Sequence, residues 1–257
     1  MNVAIMAYTF NPLWRDGRLD LFGYLESCRY RYGLQYADLW NHMFASIEDE
    51  YVAKVKDGLA ERELTVANLA VDGAHIWDPD PDVREKHYQN ALAHMRVAEA
   101  LGAQTLRIDA GGSRDAQTFT DEEFDFIVQR YREYAQRAHD HGYRIGPENH
   151  WGPTTNPVVL KQLCEAVDHP AFGVLLHSER WQGQEAERGD ELVAPWTMHT
   201  HFGRGVLESR LDAKLDLLEG AGYQGCWSIE HPSTGYSEPA LLLALLRDAL
   251  ERRRVAG

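Results

Sequence analysis

Short apolar runs alternate along this chain with longer stretches in which apolar residues recur every three or four positions. The runs are Val3–Tyr8, Leu34–Trp40, Leu64–Val71, Thr105–Asp109, Arg144–Glu148, Phe172–His177, Trp196–Phe202 and Cys226–Glu230. Each is of strand length and mostly continuous rather than alternating, as expected of strands covered on both faces. Between them the spacing predicts helices over Leu19–Tyr32, from a Ser46 cap to about Glu61, over Asp82–Leu101, from Thr120 through His141, and over Pro157–Val167, Ser209–Gly220 and Glu238–Arg254. Thr120-Asp121-Glu122-Glu123 reads as a helix cap with an acidic first turn, and Gly33, Gly102 and Gly142 follow helix ends. Only Trp181–Asp190 is polar and irregular, so the helix after the sixth strand is expected to be short or distorted.

Eight strand-then-helix pairs, with no Pro/Ser-rich linker, predict an α/β fold: a single (β/α)8 TIM-barrel domain over residues 1–257. An open doubly wound sheet has a similar pattern, but no glycine-rich fingerprint follows the first strand.

Four of these runs end on side chains that bind metals. Arg144–Pro153, RIGPENHWGP, brings a short apolar approach to Glu148 and then breaks at Gly152-Pro153. GVLLHSER ends on His177, MHTHFGRG on His199 and His201, and WSIEHP on Glu230. The gaps from Glu148 to His177, His201 and Glu230 are about 29, 24 and 29 residues, close to one strand-plus-helix unit each. Consecutive parallel strands would carry all four side chains to one end of the sheet. A carboxylate is costly to bury alone and needs a partner or a cation. Two carboxylates and two imidazoles suit one divalent Mn, Zn, Co or Fe better than Mg, which prefers oxygen shells. His199 and His201 share a strand face. His201 is nearer the carboxyl end and is taken as the ligand, with His199 a layer deeper.

Composition narrows the partners. The formal charge is −14, from 26 Lys+Arg against 40 Asp+Glu, which repels nucleic-acid backbones and anionic membranes. Cys28, Cys164 and Cys226 are odd in number and form no C-x-x-C pair, as expected of reduced thiols in a cytoplasmic protein. The opening MNVAIMAYTFNPLW lacks a basic region and a signal-length apolar run, and no stretch approaches the roughly 20 apolar residues of a membrane helix.

PENHWG, WSIEHP and the HTH of the seventh strand resemble the sugar-phosphate isomerase/epimerase family of the xylose-isomerase-like TIM barrels. DGAHIWDPD and ALGAQTLRIDAGG extend the likeness over nearly the whole chain. The resemblance implies one divalent metal held by Glu148, His177, His201 and Glu230. It also implies that Glu148 and Glu230 act as acid and base on opposite faces of a sugar, through an enediolate. The family places Asp on the sixth strand and His three residues later; here those places hold His177 and Arg180. Losing one carboxylate should weaken binding of hard cations. Arg180 stands where the family has a substrate-contacting histidine, and its guanidinium suits a carboxylate or phosphate. Gly203 and Arg204 replace the Lys-Asp that often follows the strand-seven histidine. Trp40, His42, His75, Trp77, His150 and Trp151 are expected at the same end. Of these, His150, His75 and Trp40, together with Arg180, are the substrate-binding candidates. Relatives are often dimers or tetramers, so a homo-oligomer fits the resemblance.

The reading is a metal-dependent isomerase or epimerase of a sugar or sugar derivative. The alternatives are a lyase or dehydratase of a keto-sugar or inosose on the same site, and a metal-free barrel that has lost activity. An abasic-DNA endonuclease on this barrel would need a multi-metal cluster and a basic groove, which the −14 charge opposes.

Overall fold

The computed structural model describes residues 1–256. Eight parallel strands close into a barrel: β1 (Val3–Ile5), β2 (Tyr36–Trp40), β3 (Thr65–Val71), β4 (Thr105–Ile108), β5 (Arg144–Gly146), β6 (Val174–His177), β7 (Thr197–Phe202) and β8 (Trp227–Ile229). Ladders run β1-β8-β7-β6 and β2-β3-β4-β5. Parallel bridges Met6–Asp38, Ile145–Phe172 and Glu148–Leu175 stitch the two halves together, which decides for a barrel over an open sheet.

The outer layer comprises α1 (Asn11–Arg15), α2 (Leu21–Glu26), α3 (Asp49–Glu61), α4 (Pro81–Leu101), α5 (Asp121–His141), α6 (Pro157–Val167), α7 (Gly189–Val193), α8 (Arg204–Ser209), α9 (Leu211–Gly220) and α10 (Ser237–Ala256). The capping box at Thr120–Glu123 forms in both directions. Gly102 and Gly142 close α4 and α5 with φ of 67° and 78°, a left-handed turn that a Cβ would disfavour. All three cysteines are buried and free. Among the described residues no helix is long and apolar enough to cross a membrane.

Several boundaries differ from the sequence reading. The first strand stops at Ile5, and Ala7–Phe10 turns into a 3-10 helix. The helix after it runs from α2 into a π turn over Ser27–Arg31. Ser46 does not cap α3: its hydroxyl accepts from the Glu48 N–H, and the helix opens at Asp49. The helix expected over Ser209–Gly220 starts at Leu211, after a separate helix over Arg204–Ser209; Arg210 between them has φ of −135° and ion-pairs with Glu179 at 2.7 Å. The polar stretch after β6 holds only the short α7 and its flanking 3-10 turns, as expected.

The barrel interior is polar where the strands approach their carboxyl ends. Asp38, Asn68, Arg107, His199 and His201 are all buried there. The apolar core lies instead between strands and helices, around Leu39, Leu69, Ile108, Tyr131 and Phe202. Separating the two puts the fold's stability outside the barrel and leaves its mouth for chemistry.

Candidate active site

The four side chains expected to converge do so. Glu148 follows β5, His177 ends β6, His201 lies near the end of β7, and Glu230 follows β8. One donor atom from each lies within 4.8 Å of the other three. Glu148 is aimed by local backbone chemistry: Pro147 donates no hydrogen bond, and the Glu148 N–H reaches Asp109 Oδ1 at 3.4 Å. Asn149 exchanges two hydrogen bonds with the backbone of His177, at 2.7 and 2.9 Å, and so locks the ends of β5 and β6 together.

The two carboxylates point at the same pair of nitrogens. His177 Nδ1 is 3.1 Å from Glu148 Oε1 and 3.7 Å from Glu230 Oε2. His201 Nδ1 is 2.7 Å from Glu230 Oε2 and 3.6 Å from Glu148 Oε1. His201 Nδ1 is buried and makes no well-aligned hydrogen bond. Its other nitrogen, Nε2, donates to Asp38 Oδ2 at 3.0 Å. That tautomer turns the Nδ1 lone pair toward the two glutamates, the disposition of a metal-ligating histidine held by a carboxylate behind it. The residues present therefore fit a divalent cation with two oxygen and two nitrogen donors.

Asp38 is the residue the sequence reading missed. Its Oδ2 accepts from His199 at 2.8 Å, His201 at 3.0 Å and Ser228 at 2.6 Å, and its Oδ1 from Asn68 at 2.9 Å. Hydrogen bonds to a charged group are worth roughly 1.5–3 kcal/mol each, so four can offset the several kcal/mol of burying the ion. Burial pushes its acidity down, but the two histidines overrule it and hold the carboxyl far below the usual carboxylate range. With its oxygens so occupied, Asp38 supports His201 rather than facing the centre. His199 takes the deeper place expected of it.

Burial opposes charge on Glu148 too, yet His150, His177 and His201 hold it well below its ordinary value. Glu230 is lowered against burial by His177 and His201. Burial opposes charge on His201, and Asp38 and Glu230 reverse this, raising it well above the ordinary imidazole value. A cation would replace that proton.

A cavity of about 390 Å³ opens over these groups, lined in part by Tyr8, Trp40, His75, Glu148, Trp151 and Glu230. His150 and Arg180 also line it, so all four substrate-binding candidates reach it. His150 Nδ1 lies 2.7 Å from Glu148 Oε2, and its Nε2 lies 3.5 Å from Asp109 Oδ2. Burial works against its charge, but the carboxylates of Glu148 and Asp109 win and raise its affinity for a proton. Trp40 is the last residue of β2, and its Nε1 donates to Asp72 at 2.8 Å. Arg107, also missed in the sequence, ties Asp72 at 2.9 Å and Asp109 at 2.8 Å beneath the cavity, with its Nε 3.5 Å from Glu148.

Two further residues expected at this end lie there, outside the cavity lining. His42 packs on Trp40 and Trp14 beside the mouth and does not line the cavity. Trp77 packs against Phe126 under the Arg84 guanidinium. A larger open groove of about 1000 Å³ along α2 is lined by none of the four donors.

A barrel with four such donors at its carboxyl mouth defines a class. Residues 30–252 match the model of the xylose isomerase-like TIM barrel family, and the chain belongs to it. Solved structures share the fold at low identity. D-psicose 3-epimerase from Clostridium cellulolyticum H10, solved with D-tagatose, superposes with a TM-score of 0.76 at 16% identity, covering 99% of each chain. The probable 3-DHS dehydratase of petrobactin synthesis from Bacillus anthracis gives 0.71 at 14%, covering 96% of this chain and 98% of its own. A xylose isomerase-like barrel from Mycobacterium smegmatis in complex with magnesium gives 0.69 at 16%, covering 89% of each. No curated protein sequence matches the chain.

Proposed function

We propose that this protein is a divalent-metal-dependent isomerase or epimerase that moves a proton beside the carbonyl of a sugar or sugar derivative. The single observation that carries this is the convergence of Glu148, His177, His201 and Glu230, with donor atoms within 4.8 Å, under a cavity sized for a small molecule. When bound, the cation would polarise neighbouring oxygens and stabilise the developing enediolate. Glu148 and Glu230 then divide the proton work, one taking it from carbon and the other returning it. Trp40 and Trp151 offer faces to the C–H surface of a sugar. His75 and His150 offer ring nitrogens to its hydroxyls, and Arg180 reaches in from the rim. Sugar epimerases among the solved structures of this fold support the reading. Mn, Zn, Co or Fe suits the two imidazoles better than Mg does, although one structure of the same fold holds magnesium.

A second reading, a dehydratase, has an observation of its own. His150 lines the cavity with Nδ1 2.7 Å from Glu148 Oε2 and Nε2 3.5 Å from Asp109 Oδ2, a position from which a ring N–H can serve a departing hydroxyl as general acid. A dehydratase also shares the fold. The test is to incubate Mn-loaded protein in D2O with a panel of ketoses and a keto-inositol. Deuterium entering beside the carbonyl without loss of water supports the isomerase or epimerase. A conjugated product supports the dehydratase. Absence of both for a metal-loaded protein across the panel argues against the proposal.

A further inference from the structure

Among the described residues, two arginines at the mouth have no carboxylate within hydrogen-bond distance, whereas Arg137 and Arg188 do. Arg137 forks onto Glu99 at 2.7 and 2.9 Å, and Arg188 onto Glu191 at 3.2 Å with both arms. Arg114 instead rests over the Trp151 ring, 5.1 Å from its centroid, and among the described residues has no carboxylate within ion-pair distance. Arg180 comes no nearer to Glu148 Oε1 than 3.9 Å and lies 3.3 Å from His177 Nδ1. That nitrogen also faces Glu148 at 3.1 Å. A single ring nitrogen carries either a proton or a lone pair, so it cannot donate to Glu148 and accept from Arg180 together. A cation on His177 would occupy the same lone pair. In both cases the Arg180 guanidinium loses His177 and keeps only its 3.9 Å approach to Glu148, at the edge of the cavity.

Arg114, Arg180 and His150 all line both the cavity over the glutamates and an adjoining cleft of about 340 Å³. The inner acids are already engaged: Asp72 and Asp109 by Arg107, Glu148 and Glu230 by imidazoles. Asp115 is the one carboxylate lining the outer cleft, beside Gln117, Gln182 and Thr155. The outer end of the mouth is thus its basic end, in a chain of net charge −14. A guanidinium pair facing a cleft is suited to a planar anion. Asp115 would repel a phosphate dianion more than a single carboxylate.

We propose that the substrate is a sugar acid, with a carboxylate remote from its reacting carbonyl held by Arg114 and Arg180 in this cleft. The proposal rests on the carbonyl chemistry proposed above, because that chemistry sets which end of the molecule lies over the glutamates.

The test compares three ligands of one carbon skeleton, D-fructose, D-fructuronate and D-fructose 6-phosphate, binding to Mn-loaded protein by calorimetry and by quenching of tryptophan fluorescence. D-Fructuronate is expected to bind about tenfold or more tighter than D-fructose. That preference should shrink with rising salt. Arg114→Gln should remove most of it, and Arg114→Gln with Arg180→Gln all of it. Both side chains are exposed, so the variants should keep the wild-type circular dichroism. Equal affinity for sugar and sugar acid, tighter binding of the phosphate, or a preference that survives the double substitution would each overturn the proposal. Deuterium exchange into D-fructose with no preference for the acid would sink this inference and leave the proposed function standing. Tight, arginine-dependent binding of the acid without exchange in any ligand would do the reverse.

Discussion

Asp38 Oδ2 accepts from Nε2 of His201 at 3.0 Å while Nδ1 of the same ring faces Glu230 at 2.7 Å. One carboxylate on β2 therefore sets the tautomer and angle of an imidazole on β7, across the barrel. Replacing Asp38 with Asn keeps the shape but loses the charge. Affinity for Mn or Zn should fall about 10- to 100-fold, measured by competition with a chromophoric chelator, while the fold persists by circular dichroism.

The proposed function gives Glu148 and Glu230 separate proton-transfer roles around one cation. Glu148→Gln and Glu230→Gln should each lower kcat by roughly two to four orders of magnitude, measured at saturating metal. An amide still offers an oxygen to the cation but cannot take up a proton. Retention of near-normal kcat by either variant would remove that residue from the acid-base pair.

His177 places a ring nitrogen among the four candidate donors, where the resemblance leads one to expect a carboxylate. His177→Asp should shift metal preference toward Mg and Mn and away from Zn, because the set becomes harder and more negative. Parallel titrations of the two proteins with Mg, Mn and Zn would show the change in order of affinity.

Buried thiols predict alkaline sensitivity. Burial pushes Cys28 up to about 12 from an ordinary value near 9, and the buried Tyr24 hydroxyl is raised well above its own. The folded protein keeps both neutral, whereas the unfolded chain ionises them at their ordinary values. Their contribution is whole below about pH 9 and is lost as pH climbs toward the folded values. The urea midpoint should be lower at pH 10.5 than at pH 8. The thiols should react with a disulfide reagent at pH 8 only after denaturant is added.

Much of the centre was legible because it obeys a simple rule. An apolar run ending on Glu or His at barrel spacing marks Glu148, His177, His201 and Glu230, and the motif around Glu148 also marked His150. Asp38 and Arg107 were harder because they lie inside the runs Leu34–Trp40 and Thr105–Asp109, which read as strands. A signal was present: an ion within a buried run must have a partner. The partners of Asp38 are about 160 and 190 residues away, on β7 and β8, and no local spacing announces a pairing across the barrel. His42 and Trp77 were drawn toward the site because both follow strand ends. Both stand at that end, and packing on Trp14, Trp40 and Phe126 keeps them out of the cavity lining.

The most direct measurement is anomalous diffraction from crystals grown with Mn. One strong peak is expected at the barrel mouth, about 2.0–2.6 Å from donor atoms of Glu148, His177, His201 and Glu230. No peak there at full Mn loading, or a peak elsewhere with the two glutamates turned apart, would contradict it.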